Sequence, residues 1–299
     1  MSKMLIITGP TASGKSSLAV RLAEKYSGEI INGDSIAGYK ELDIGSAKPT
    51  VAEQKGIPHH LLDYVEVSED YSVARFQKDC RQAIDEVLSR GKLPIVTGGT
   101  GLYIKAMLYD YDFRPSDNEQ TADYSAFSNS ELHEILKEKD PVSAEAIHPN
   151  NRKRVIRALQ IASSGTSKSQ LEAAQQHQPV YDGLIIGLTM NREKLKQRIS
   201  DRVDGMIRDG LAEEVTRLHD KYSFALHCFT AIGYKEFKEY FAGVQTLQET
   251  VELIKTHTRQ FAKRQYTWFN HQMDVNWFDI EDSDFENRIE ERIEAFLHE

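Results

Sequence analysis

The sequence predicts an α/β fold: a parallel, doubly wound sheet with a small helical insertion domain and helices appended at its C-terminal side. Three observations predict it. Short apolar runs alternate with helical patterns over the N-terminal third. Each of those runs ends in a cluster of Gly, Asp, Ser or Thr. A polar break after Pro115 is followed by helical periodicity and then by one more apolar run, Gly183 to Met190. The chain has 299 residues, 40% of them apolar and 28% charged. That composition is ordinary for a globular protein and argues against disorder, collagen-like repeats and a disulfide scaffold.

Met4 to Thr8 reads as a buried strand, followed by a helix carrying Leu18, Ala19 and Leu22. Glu29 to Asn32 reads as a second strand ending at Gly33-Asp34-Ser35. Ser72 is a candidate N-cap for a helix with Val73, Phe76, Cys80, Ile84, Val87 and Leu88, closed by Gly91. Leu93 to Thr97 is a third strand running into Gly98-Gly99-Thr100-Gly101. Ligands of such sheets bind outside the carboxyl ends of the strands, so Gly9, Asp34 and Thr100 mark one candidate crevice. Arg114 to Asn129 reads as a polar linker, and Glu131–Lys139 and Arg152–Ile161 as helices. Residues 1–115 and 179–299 then form the core and 116–178 the insertion. Everything after Asn191 reads as helical, apart from a short strand at Trp277-Phe278 and a solvated terminal helix striped by Ile289, Ile293 and Phe296.

The net charge is −9, but it is unevenly placed. Asp279 to Glu299 carries nine acids and two arginines, which leaves −2 for the preceding residues. Two stretches are basic and free of acids: Asn150 to Arg157, with Arg152, Lys153, Arg154 and Arg157, and Leu253 to Met273, with Lys255, Arg259, Lys263 and Arg264. Such clusters bind phosphates whatever the global charge, although each alone is equally well a solvated helix face. The two cysteines, Cys80 and Cys228, form no metal or disulfide pattern. His59-His60 lacks a third spaced ligand and reads, like Cys80 and Trp277, as packing or local hydrogen bonding. No run is long enough for a membrane span and the amino terminus does not read as a signal peptide, so a cytoplasmic protein without a membrane partner is expected.

Gly9-Pro10-Thr11-Ala12-Ser13-Gly14-Lys15-Ser16 matches G-x-x-x-x-G-K-[ST] between a strand and a helix. Its amides would form an anion nest, Lys15 would neutralise phosphate oxygens, and Ser16 would hold Mg²⁺. A chance match in a chain of this length is on the order of one in a hundred. The fold becomes P-loop NTPase-like, and the ligand a polyphosphate such as ATP. The strand Leu93–Thr97 ends without a carboxylate, which argues against motors and switches. Asp34 is the acid at a strand end beside the loop. It is a metal-water ligand, a general base or a turn aspartate, and group transfer onto an acceptor held near it fits.

These residues resemble the tRNA dimethylallyltransferases, or tRNA isopentenyltransferases. The resemblance runs through the P-loop, Asp34-Ser35, Leu42-Asp43-Ile44-Gly45-Ser46-Ala47-Lys48-Pro49, Ile57-Pro58-His59-His60-Leu61 and Gly98-Gly99-Thr100-Gly101-Leu102-Tyr103. It continues through His148-Pro149-Asn150-Asn151 with Arg154 to Leu159, Ala231-Ile232-Gly233-Tyr234-Lys235-Glu236, and Thr258-Arg259 with Ala262 to Gln265 and Thr267-Trp268-Phe269. It implies transfer of a prenyl group from dimethylallyl diphosphate to the exocyclic amine of the adenine just 3′ of the anticodon, releasing pyrophosphate with Mg²⁺. It further implies Asp34 as the base, Thr100 beside it, and Arg202, on the helix of Arg198, as a diphosphate ligand. Asp34, Ser35, Ile36 and Ala37, the run Lys153, Arg154, Val155, Ile156, Arg157, and Gly233, Tyr234, Lys235 would face the tRNA anticodon stem-loop. A monomer is expected.

The chain departs from the family pattern at Ala37, where a glutamine that contacts the adenine is usual, at Lys153-Arg154, at Thr230 and in a shortened polar segment after Pro115. Two other readings compete. An ATP-dependent small-molecule kinase would share the P-loop and sheet but leaves Thr258 to Phe269 without a purpose. A non-catalytic tRNA-binding module would bind RNA and show no chemistry.

Overall fold

A computed structural model describes residues 2–111, 113, 123–163, 167–170 and 178–299. The elements in chain order are β1 (Lys3–Thr8), α1 (Lys15–Tyr26), β2 (Gly28–Asn32), α2 (Val51–Gln54), β3 (His59–His60), α3 (Val73–Ser89), β4 (Leu93–Thr97), α4 (Gly101–Leu108), α5 (Asn129–Lys139), α6 (Pro141–Ala146) and α7 (Arg152–Ser163). Then follow β5 (Asp182–Thr189), α8 (Arg192–Arg208), α9 (Leu211–Lys221), α10 (Phe237–Phe241), α11 (Leu247–Gln272), β6 (Asn276–Asp279) and α12 (Phe285–His298). Contacts divide the chain into two compact units, Met1–Tyr109 with Pro179–Glu299, and Asp110–Gln178.

The first unit is an α/β fold on a six-stranded sheet in the order β3-β2-β4-β1-β5-β6, every pair parallel. Its strands are apolar on both sides, as helix-covered parallel strands must be. Along β1 the side chains alternate: Met4 and Ile6 enter one core with α3, α4, α9 and α11, while Leu5 and Ile7 enter another with α1 and α12. The strands predicted at Met4–Thr8, Glu29–Asn32, Leu93–Thr97 and Trp277-Phe278 are all present. Ser72 caps α3 by accepting the Arg75 amide, and Gly91 turns the chain beyond its end at φ +69°.

Three short elements escape the periodicity. β3 is two residues long, α2 is a single turn closed by a Thr50–Glu53 capping box, and α4 is buried on most of its surface. A pattern needs two turns or four alternations before it shows. The uninterrupted helix expected after Asn191 is corrected between Tyr222 and Glu236. There the chain turns through a 3₁₀ segment, His227–Thr230, and through Gly233 at φ +97°, a conformation glycine adopts without strain. The terminal helix α12 buries Ile289, Ile293 and Phe296, and its acids pair with Arg21 and Lys25 of α1. No helix among the described residues is long and apolar enough to cross a membrane.

The second unit packs α5, α6 and α7 around Leu132, Leu136, Ala144, Ile147, Val155, Ala158 and Leu159. Of the expected linker, residues 114–122 lie outside the described residues, and 123–128 is irregular.

The strand ends meet with very little clearance. A Cβ at Gly98, just past β4, would stand 2.3 Å from the carbonyl carbon of Gly33, just past β2. Neither backbone can yield without breaking the Gly33 amide bond to Thr97 O. Gly98→Ala is therefore expected to cost about 3 kcal/mol of stability, read as a lowered urea midpoint.

Candidate active site

A pocket of about 540 Å³ opens at the carboxyl ends of β1, β2 and β4, where ligands of parallel sheets bind. Its walls include Thr11, Ala12, Gly14, Lys15 and Ser16 of the P-loop, Asp34 and Ala37 after β2, and Thr97 at the end of β4 with Gly98 and Gly99 beyond it. Helices α8 and α11 add Arg198, Asp201, Arg202, Phe261 and Gln265.

The P-loop takes its shape from left-handed residues at Gly9 (φ +135°), Ala12 (+65°) and Gly14 (+94°). Gly9 has no alternative, because a Cβ there would stand 2.6 Å from Leu188 O. Pro10 O accepts the Ser13 amide (3.3 Å) and Lys15 Nζ (2.8 Å). Burial, and then the Arg202 charge, pull the Lys15 ammonium down to about 7, against the opposing pull of Asp34. Arg202 is lowered too, chiefly by burial, with Asp34 and Glu53 opposing, and its Nη1 donates to Thr11 Oγ1 at 3.3 Å. Two cationic side chains close enough that the Arg202 charge lowers the pKa of Lys15 make a site suited to negative charge.

Asp34 sits in an Asx turn: Oδ1 accepts the amides of Ile36 (2.8 Å) and Ala37 (3.4 Å). Asn32 holds the turn by accepting the Asp34 amide and donating to Asp34 O and Leu61 O. The turn and functional readings of this aspartate are thus compatible: one oxygen fixes the backbone while the residue lines the pocket.

Several expected site residues stand elsewhere. Thr100 Oγ1 accepts the Ser35 amide at 3.3 Å, bracing the turn that carries Asp34. The Ser13 side chain is buried without a hydrogen-bond partner. Val155 is enclosed in the core of the second unit, and Tyr234 is fully buried in that of the first. Neither side chain offers a surface to RNA. The Lys153, Arg154, Arg157 and Lys235 side chains are exposed, and Ile156 is half-buried. Two cations of the basic stretches are held internally. Arg152 donates to Phe127 O, Tyr124 O and Asn129, and Lys255 pairs with Asp204 and Glu252 at 12% side-chain exposure. His59 forms the expected local bond, to Ile57 O, whereas His60 reaches Glu29 on the neighbouring strand, 31 positions away.

Gln265 closes the block Ala262 to Gln265, but its place in the site is not among the roles the sequence implied. It bridges the site from α11, accepting the Thr11 amide (2.9 Å) and donating to Gly99 O (2.9 Å). A Cβ on Gly99 would stand 2.0 Å from its Nε2.

Among the pocket's oxygen-bearing side chains, the exposed Ser16 hydroxyl and the Asp34 carboxylate are of the kind that suits a hard cation such as Mg²⁺. Among the described residues no group of three or more His, Cys, Asp or Glu could hold a metal.

A family model described as IPP transferase matches residues 37–272. The chain is 50% identical over 293 residues to the tRNA dimethylallyltransferase of Anoxybacillus flavithermus, covering 97% of this chain and 94% of that protein. It is 46% identical over 284 residues to the Bacillus subtilis enzyme of the same name, covering 93% and 90%. Among solved structures, the full-length tRNA isopentenylpyrophosphate transferase from Bacillus halodurans matches at 39% identity and TM-score 0.76, covering 100% of this chain and 97% of that one. A eukaryotic dimethylallyltransferase acting on tRNA matches at 32% identity and TM-score 0.85, covering 97% and 78%. With its P-loop NTPase-like sheet and this degree of likeness along nearly its whole length, the chain belongs to the IPP transferase family.

Proposed function

We propose that this protein transfers the dimethylallyl group of dimethylallyl diphosphate to the exocyclic amine of the adenine 3′ of the anticodon in tRNA, releasing pyrophosphate. The observation that carries it is one pocket combining a phosphate loop and two half-buried cations, Lys15 and Arg202, with a carboxylate, Asp34, at the facing strand end. The P-loop amides, Lys15 and Arg202 bind the diphosphate and neutralise the charge that grows on it as the allylic carbon–oxygen bond breaks. Asp34 accepts the proton that the adenine amine loses as its nitrogen bonds to the allylic carbon. Ser16 would hold Mg²⁺, which when bound supplies further charge stabilisation to the leaving group. The adenine must leave the anticodon-loop stack to reach this depth. Exposed Lys235, Lys153, Arg154 and Arg157 then serve the RNA backbone. Action on tRNA favours a cytoplasmic protein.

The test incubates the protein with dimethylallyl diphosphate and Mg²⁺, with and without unmodified tRNA, and with ATP in parallel. Pyrophosphate released only with donor and tRNA together, and prenyl-adenosine in the digested tRNA, are expected. ATP turnover without prenyl transfer would establish the kinase reading instead.

A pH effect follows from Lys15. In the empty pocket it loses its proton near pH 7, and a bound diphosphate favours the charged form. Binding therefore takes up a proton above that pH. Affinity for dimethylallyl diphosphate is expected to be flat below about pH 7 and to fall above it by up to about tenfold per unit, measured by calorimetry from pH 6 to 9.

A further inference from the structure

The loop from Asp43 to Pro49 gives Ser46, Ala47 and Pro49 to the pocket wall, yet it lies in no helix or strand. One buried carboxylate holds it. Glu214 on α9, only 3% exposed, accepts the amides of Asp43 (3.2 Å) and Ile44 (2.8 Å) at Oε2 and that of Gly45 (3.1 Å) at Oε1. Oε1 also accepts the Tyr234 hydroxyl at 2.8 Å. The Tyr234 ring packs so tightly on the loop that a Cβ at Gly45 would stand 2.5 Å from Cζ. Three consecutive amides and a phenol thus converge on one side chain. Removing it would leave buried donors unsatisfied.

The loop brings only uncharged side chains to the pocket, whereas the cations come from the P-loop and α8. We infer that Glu214 is a positioning residue for the transfer: by fixing residues 43–45 it sets the wall that orients the neutral, reacting end of the prenyl donor. This rests on the proposed function. Geometry of this kind acts on reaction rate, because small displacements of reacting atoms are costly, and leaves the phosphate cradle alone. The loop has a second clamp, Lys48, whose Nζ donates to Tyr39 O and Asp43. Loss of Glu214 hydrogen bonds should therefore loosen the loop without unfolding the protein.

The experiment compares wild type, Glu214→Gln and Tyr234→Phe. Glu214→Gln keeps the volume and one acceptor but turns an NH₂ toward donors. Tyr234→Phe keeps the ring and removes one bond. Per pyrophosphate-binding site, kcat/KM for dimethylallyl diphosphate is expected to fall about tenfold in the first and about threefold in the second. The Kd for inorganic pyrophosphate should stay within about twofold, since the cradle is untouched. Amide hydrogen exchange at residues 43–45 should accelerate in Glu214→Gln. Unchanged exchange, accelerated exchange with unchanged kcat/KM, or equal weakening toward pyrophosphate and donor would each overturn the positioning role. Wild-type protein that binds pyrophosphate but transfers no prenyl group would overturn the function itself.

Discussion

Asp34→Asn is expected to lower prenyl transfer by about 10²- to 10⁴-fold, the range a positioned general base contributes, with diphosphate affinity unchanged or tighter. The asparagine Oδ1 can still accept the Ile36 and Ala37 amides, so the turn survives. Its amide group cannot take the proton of the attacking amine. Removing the carboxylate lifts its repulsion of a bound anion but also withdraws a charge that favours protonated Lys15, so affinity is compared at about pH 6, where Lys15 stays charged. Single-turnover transfer to tRNA, paired with pyrophosphate calorimetry, separates the two effects. Full turnover in this variant would remove Asp34 as the base.

Lys15→Met is expected to reduce transfer by about 10³-fold, as loss of one preorganised group facing developing charge does, and to weaken pyrophosphate binding as well. It should also stabilise the empty protein, and the sign follows from proton counts. The folded protein releases the Lys15 proton near pH 7, the unfolded chain near 10.5. Between those values the unfolded state binds more protons, so the stability of wild type climbs with pH across that window. Below it, the full penalty of an enclosed cation remains. The melting temperature of Lys15→Met should therefore exceed that of wild type most at pH 6, with the gap closing toward pH 10. Such a trade of stability for function is usual at preorganised sites. Equal melting temperatures throughout would show that the empty pocket places no strain on Lys15.

How much of the site was legible depended on whether its residues lie close together in the chain. The P-loop is eight consecutive residues between a strand and a helix, and Asp34 stands two residues beyond a strand. Both were readable because local spacing dictates their geometry. The basic stretches were less trustworthy: Lys255 and Arg152 look free in the sequence and are held by internal partners. Thr100 and Tyr234 carry sequence blocks typical of the family but act as braces.

By itself the sequence determined the order and type of the long elements, the anion-binding loop and the acid beside it, because hydrophobic period and turn chemistry act over a few residues. Only the tertiary structure decided which distant side chains complete the site. Gln265 reaches Thr11 across 254 positions, and Glu214 reaches Gly45 across 169. No spacing encodes those pairs. They arise when α9 and α11 pack onto the core through apolar faces and carry Glu214 and Gln265 to backbone groups that need a partner.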